Sequence, residues 1–257
     1  MGRLTMNSNI FKALALAALV LISGQAWADS RVDKANQHYA AEEYENAIQL
    51  YEDVLNSGME APELYYNLGN CYYRQGLLPA AILNYERALL LAPHDKDIRY
   101  NLELAYSQIP DKIEPLGEIF LAQWFASIRN TTKSDTWAWI SIASFSLFLI
   151  LLLVYFFSKR SALRKLGFFV GLLFLLISTT TFFFAKYQKE RLVNRNTAIV
   201  FSPSVTVRSA PDAGSTELFV LHEGVKVKLL QQNNNWYEIQ IEDGNVGWIH
   251  AEHVEVI

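Results

Sequence analysis

The sequence predicts a multidomain membrane protein with an all-α helical-repeat solenoid, a two-helix transmembrane hairpin and a small all-β barrel. Three observations predict this class. The N-terminal half repeats with a period of 34 residues, the middle holds uncharged apolar segments of 21 and 20 residues, and short alternating runs with turns follow residue 195. Half of the 257 residues are hydrophobic, and their uneven distribution separates these parts.

Charge also divides by region, although the net charge is only −4. Residues 29–135 carry 17 acidic and 9 basic side chains, and residues 196–257 carry 8 acidic and 3 basic ones. Residues 158–195 carry 8 basic and 1 acidic side chains. Acidic domains repel phosphate backbones, so this balance argues against nucleic-acid binding. With Cys71 as its single cysteine, the chain can form neither an intrachain disulfide nor a cysteine zinc cluster.

The first 28 residues have the pattern of a secretory signal peptide. A basic start precedes the apolar stretch 13–24, and the small–x–small sequence AWA ends at Ala28. We expect cleavage after Ala28, with an uncleaved anchor as the alternative. In both cases the chain that follows begins outside the cytoplasm.

The 34-residue period aligns YENAIQLYEDVL at 44–55 with LPAAILNYERAL at 78–89. Periods near this length are typical of helix–turn–helix solenoids. The central unit resembles the tetratricopeptide repeat (TPR) at Tyr65, Leu68, Gly69, Tyr72, Ala81, Tyr85, Ala88 and Pro93. We therefore expect a TPR array over residues 29–110, with two repeats and a capping helix. An array this short is close to the minimum of about three units, so self-association through it is also expected.

The TPR resemblance implies a concave groove, built by the first helix of each unit, that binds peptides or proteins. The residues that it places on or near this groove are Asn36, Tyr66, Asn67, Asn70, Tyr73, Arg74 and Asn101. An asparagine amide suits this role because it can both donate to and accept from an extended backbone. The alternative is that these asparagines belong to the repeat consensus and hold no ligand.

The middle of the chain predicts a membrane hairpin. About 20 apolar residues cross a hydrocarbon core of about 30 Å, and transmembrane helices are expected at 136–157 and 166–187. The connector 158–165 carries four positive charges, which favours a cytoplasmic loop. An exported N-terminus gives the same orientation, so both acidic domains are expected in the periplasm, at the bacterial inner membrane.

A linker at 111–135 precedes the first span and contains a predicted amphipathic juxtamembrane helix. Its apolar stripe consists of Leu116, Ile119, Phe120, Trp124, Phe125 and Ile128. Two placements remain open. The helix lies on the outer leaflet of the membrane, or it packs on the array or the spans.

Residues 196–257 predict a barrel of short strands joined by tight turns. VKVKL and YEIQI alternate as half-buried strands do. The domain resembles the bacterial SH3 family in a VxVRSxP start, a glycine before a VxV strand, a WYxI strand and a GxxGWI close. These residues are Val205, Val207, Arg208, Ser209, Pro211, Gly224, Trp236, Tyr237, Ile239, Gly244, Gly247, Trp248 and Ile249. The resemblance implies that the domain binds peptides or cell-wall peptides, or serves as a docking module.

Catalytic and metal-binding motifs are absent from the sequence. It has no P-loop, no glycine-rich dinucleotide turn, no G-x-S-x-G and no H-E-x-x-H. The chain is therefore expected to be non-enzymatic, with no cofactor and no catalytic or metal-binding residue.

The order of the domains resembles that of BatE-like proteins from bacterial Bat aerotolerance operons. This resemblance implies an envelope complex linked to aerotolerance or stress, with von Willebrand A-domain membrane proteins and a MoxR-type ATPase as partners. The expected function is an inner-membrane scaffold or adaptor that binds periplasmic partners. The alternative is a cell-wall sensor whose SH3-like domain binds peptidoglycan peptides.

Overall fold

The computed structural model describes residues 30–113, 117 and 120–257. The predicted signal peptide lies outside these ranges, as do Leu116 and Ile119 of the predicted juxtamembrane stripe. Within them are eight α-helices, which are α1 Ser30–Ala40, α2 Tyr44–Asn56, α3 Pro62–Arg74, α4 Leu78–Leu91, α5 Lys96–Tyr106, α6 Phe120–Arg129, α7 Ser134–Phe157 and α8 Ser161–Val193. A C-terminal antiparallel sheet follows. The predicted class is thus confirmed in outline. The N-terminal part is helical, two long apolar helices follow it, and the C-terminal part is all-β.

Helices α1 to α5 pack in sequence order. α1 contacts α2, α3 contacts α4, and α5 packs on α4. Gly69 explains the close approach of α3 and α4, because a Cβ atom there would lie 2.7 Å from the ring of Tyr85. α1, α2 and one face of α3 share a separate buried core around Ala47, Tyr51 and Val54.

The C-terminal domain is a seven-stranded sheet in the order β3-β2-β6-β5-β4-β1-β7. Its strands are β1 Thr197–Val200, β2 Ser204–Arg208, β3 Glu217–His222, β4 Lys226–Asn233, β5 Trp236–Gln240, β6 Val246–His250 and β7 Val254–Val256. Every pairing is antiparallel. Alternation places Val205 and Val207 in the core, as the period of two predicts.

Helices α7 and α8 form a hairpin, and both are long and apolar enough to cross a membrane by length and composition. Ser141 and Ser178 each donate from Oγ to the backbone oxygen of the other, at 3.0 Å. Gly167 lets the helices approach, because a Cβ atom there would lie 2.9 Å from the oxygen of Leu151. Small and hydroxyl residues at helix contacts are typical of membrane hairpins.

The connector of this hairpin differs from the predicted one. α8 begins at Ser161, so residues 161–165 are helical and only 158–160 join the two helices. α8 also continues past residue 187 to Val193. An i,i+4 ion pair between Lys186 and Glu190 accompanies this extension.

The C-terminal domain packs on the repeat array, and the two share one buried core. The core runs from Ile82 on α4, through Ile109 after α5, to Val225, which precedes β4, and Val227 on β4. Gly224 lies at a close approach of the two parts. A Cβ atom there would lie 2.5 Å from Cγ2 of Ile109 and 3.2 Å from Cδ1 of Ile82.

A buried carboxylate connects the two parts at this contact. Oε2 of Glu86 on α4 accepts from Nζ of Lys226 on β4 at 2.6 Å. Its other oxygen accepts from the hydroxyl of Tyr106 at 2.8 Å. Both carboxylate oxygens of Glu86 are therefore hydrogen-bonded, as a buried charge requires.

Two further polar contacts fix the docking. Arg87 donates to the backbone oxygen of Val256 at 2.7 Å and to Glu255 at 3.1 Å. The backbone N–H of His222 donates to Oδ2 of Asp111 at 2.8 Å, and its ring Nδ1 lies 2.8 Å from Oδ1. The sequence pattern did not predict this docking.

A sequence signal for the docking nevertheless exists in α4. Leu83 and Leu90 occupy the positions that Gln49 and Asn56 hold one period earlier. Leu83 is buried and Leu90 packs against the shared core. An outer helix that is apolar on a second side predicts a second covering element.

We expect Gly224→Ala to loosen this docking. Gly224 has a φ of +86° and Gly58 has a φ of +87°, but a Cβ atom at Gly58 would meet nothing within 4 Å. Both substitutions lose the freedom of glycine at positive φ, and Gly224→Ala adds the clash with Ile109. Its free energy of unfolding should therefore fall by about 1–3 kcal/mol more than that of Gly58→Ala. Denaturant unfolding of the detergent-solubilised chain measures the difference, and equal losses would contradict the docking.

Candidate functional site: the groove of the repeat array

An asparagine–tyrosine–asparagine cluster connects the first two units. The hydroxyl of Tyr51 donates to Oδ1 of Asn36 at 2.5 Å. Nδ2 of Asn67, on the first helix of the next unit, donates to the same oxygen at 3.2 Å. The cluster therefore joins both helices of one unit to the unit that follows.

The same cluster recurs one period later. The hydroxyl of Tyr85 donates to Oδ1 of Asn70 at 2.8 Å, and Nδ2 of Asn101 donates to that oxygen at 3.0 Å. Nδ2 of Asn101 also donates to the hydroxyl of Tyr66 at 2.9 Å. Every member of the first cluster has its equivalent 34 residues on in the second.

These bonds separate two roles within the predicted groove residues. Oδ1 of Asn36 and of Asn70 each accepts two hydrogen bonds, which uses both lone pairs of an amide oxygen. Nδ2 of Asn70 and Oδ1 of Asn101 have no hydrogen-bond partner in the described part of the chain. The hydrogen-bonded Oδ1 atoms thus hold the array together. Nδ2 of Asn70 remains available as a donor, and Oδ1 of Asn101 remains available as an acceptor.

The last two predicted residues, Tyr73 and Arg74, contact other neighbours. The hydroxyl of Tyr73 accepts from Nε2 of Gln108. Arg74 is exposed at the end of α3, and a hydrogen bond with Tyr39 raises the pKa of its guanidinium. Arg74 therefore offers a permanent positive charge beside the two clusters.

Burial keeps the cluster tyrosines protonated. It raises the pKa of Tyr51 to about 12 and raises the pKa of Tyr85 well above the ordinary value. Both hydroxyls therefore remain hydrogen-bond donors at neutral pH. The donor pattern of the clusters should not change across the physiological range.

Cys71 lies in the core of the first two units and is fully buried. Burial raises the pKa of its thiol to about 12. The thiolate, which is the reactive form, is therefore scarce at neutral pH. Cys71 is a packing residue. Across the described residues, no group of three or more His, Cys, Asp or Glu side chains is placed to hold a metal ion.

Two segments of the chain match known families. The tetratricopeptide repeat model matches residues 62–95, which hold α3 and α4. The bacterial SH3 domain model matches residues 203–255. These are binding modules. Both families are typically non-catalytic, and neither match indicates an enzyme family. No curated protein matches the chain.

We expect Asn70→Ala to destabilise the array by about 1–3 kcal/mol. The buried hydroxyl of Tyr85, whose side chain is only 1% exposed, would lose its acceptor. The loss should be smaller when Asn70→Ala is made in a Tyr85→Phe background, because no hydroxyl is then left unpaired. A double-mutant cycle on the free energy of unfolding measures this coupling. Additive losses would contradict the cluster.

Proposed function

We propose that this chain is a non-enzymatic scaffold of the bacterial inner membrane that holds envelope proteins in the periplasm. The observation that carries the proposal is the free donor of Asn70 next to the free acceptor of Asn101. This pair matches the alternating C=O and N–H groups of an extended peptide. Arg74 adds a positive charge that suits an acidic residue of the partner.

The location of the two domains at one end of the hairpin supports a shared compartment. Nε2 of Gln188, near the end of α8, donates to the backbone oxygens of Arg129 and Thr132 at 2.6 and 3.0 Å. Arg195, which follows α8, donates to Glu60 of the array at 3.1 Å. The short connector 158–160, with its basic neighbours, lies at the other end. Positive charge there favours the cytoplasm, so both domains would be periplasmic.

Helix α6 supports a location at the membrane surface. Phe120, Leu121 and Trp124 are 76%, 62% and 52% exposed. The helix is attached at its other end, where the guanidinium of Arg129 lies 3.8 Å above the ring of Tyr187. Of the two placements open from the sequence, we favour the outer leaflet, because lipid would cover this aromatic face.

The domain order supports the BatE-like assignment within this proposal. The scaffold would then act in a Bat-type envelope complex linked to aerotolerance. The groove would hold an extended segment of a von Willebrand A-domain membrane protein. The cytoplasmic connector would contact the MoxR-type ATPase.

The match to the bacterial SH3 domain favours a second candidate. The C-terminal domain would bind peptidoglycan peptides, and the chain would act as a cell-wall sensor. In that case the full chain in detergent should sediment with purified cell walls, and scaffold partners would be unnecessary.

We expect a photo-crosslinking residue at Arg74 to capture envelope proteins in intact cells. Arg74 lies beside the groove clusters, whereas the exposed Gln49 on α2 lies on the outer helix of its unit and is the matched control. Mass spectrometry of the crosslinked products identifies the partners. Capture of cytosolic proteins at Arg74 would contradict the periplasmic location. Equal capture at both positions, or none at Arg74, would contradict the groove.

A further inference from the structure

A cleft of about 410 Å³ lies where the array meets the C-terminal domain. It is hereafter the junction cleft, and the side chains that matter below are Glu52, Tyr65, Tyr72, Asn84, Arg87 and Glu255. Its volume falls within the range of small-ligand pockets, roughly 300–1,000 Å³. Residues 65, 68 and 72 of α3 face the cleft, whereas 66, 70 and 73 belong to the groove set. Helical spacing puts these two sets on different faces of α3.

Hydrogen-bond acceptors dominate this cleft. Glu52 accepts from the hydroxyl of Tyr72, which leaves its other carboxylate oxygen available. Asn84 is only 4% exposed, and its Nδ2 donates to the backbone oxygen of Ala80 at 2.8 Å. Oδ1 of Asn84 is buried and has no hydrogen-bond partner among the described residues. An acceptor of this kind costs about 1–3 kcal/mol when it stays unpaired.

The charge of the cleft is negative. The carboxylates of Glu52 and Glu255 contribute two negative charges, and the guanidinium of Arg87 contributes one positive charge. Nη2 of Arg87 already donates to Glu255 and to the backbone oxygen of Val256, while its buried Nε has no hydrogen-bond partner among the described residues. Burial, the hydrogen bond to Glu52 and the two carboxylate charges all raise the pKa of Tyr72. The field of both acids therefore reaches the cleft wall.

Aromatic and aliphatic side chains complete the walls. Tyr65, Tyr72 and Phe201 line the cleft, together with Leu55 and Leu83. Aromatic faces attract cations, and leucines cover an alkyl stem. Arg87 shows that a positively charged side chain is accommodated in this cleft when carboxylate and carbonyl oxygens surround it.

We propose that the junction cleft binds a primary ammonium group on an alkyl stem, as in a lysine side chain. An ammonium group has three N–H donors and no acceptor. Two of these donors match the free oxygen of Glu52 and the carboxylate of Glu255, and the third would reach the buried Oδ1 of Asn84 once that side chain turns toward the ligand. The site is separate from the groove and does not depend on the groove partner.

The junction cleft depends on docking of the C-terminal domain. Its walls come from both repeats and from the C-terminal domain, so the complete site exists only while the domain is docked. A ligand that binds only the docked form stabilises that form by mass action. An amine-bearing partner would therefore hold the two parts together.

The test uses the full chain in detergent and two matched probes. Nα-acetyl-lysine methylamide carries the side-chain ammonium group, and Nα-acetyl-norleucine methylamide has the same alkyl stem without it. We expect calorimetric titration to show binding of the lysine probe at least ten times tighter than binding of the norleucine probe. Glu52→Gln should weaken binding of the lysine probe about tenfold, while its amide oxygen still accepts from Tyr72. Glu45→Gln, on the same helix but outside the cleft, is the matched control and should change nothing.

A further titration with n-butylamine shows whether the ammonium group comes from a free amine or from a lysine side chain. Binding of n-butylamine as tight as that of the lysine probe would support the site and indicate a free amine as its ligand. Tighter binding of the lysine probe than of n-butylamine would support it and indicate a peptide side chain. Equal binding of the norleucine probe, no binding of the lysine probe, or an equal loss in Glu45→Gln would overturn the proposal.

Discussion

Burial of helix α4 on two sides is the constraint on which the rest of the structure depends. On one side Tyr85 packs against Gly69 and completes an asparagine cluster of the array. On a second side Leu90 packs against the core shared with the C-terminal domain, and Glu86 accepts a hydrogen bond from Lys226 of that domain. Because the same helix shapes the groove and one wall of the junction cleft, displacement of α4 would alter both candidate binding sites together. The two binding modules are therefore parts of one body.

Polar contacts give this body its specific arrangement. Glu86 is buried between Lys226 and Tyr106, and burial together with this carboxylate raises the pKa of Tyr106 well above its ordinary value. Breaking such a buried pair leaves an uncompensated charge, which costs about 3–5 kcal/mol. Hydrophobic contact alone would tolerate several orientations of the domain, so these pairs select one of them.

The 34-residue period predicted the repeat helices, and the uncharged segments predicted the apolar helix pair. The period also placed Asn70 and Asn101 near the groove, but it did not show which amide atoms hold the array and which stay free. The docking was missed because its contacts join distant residues, such as Arg87 and Glu255, 168 positions apart. No local period encodes such a pair. The apolar side chains of Leu83 and Leu90 indicate that α4 is covered, but not by which element.

The most direct measurement is the distance between one label on the array and one on the C-terminal domain. Spin labels at Glu45→Cys and Gln232→Cys, both exposed positions, in a Cys71→Ala background allow pulsed electron spin resonance on the full chain in lipid nanodiscs. If α4 joins the two modules into one body, the distance distribution will be a single narrow peak. A broad distribution would show that the C-terminal domain moves freely relative to the array, and would contradict the account.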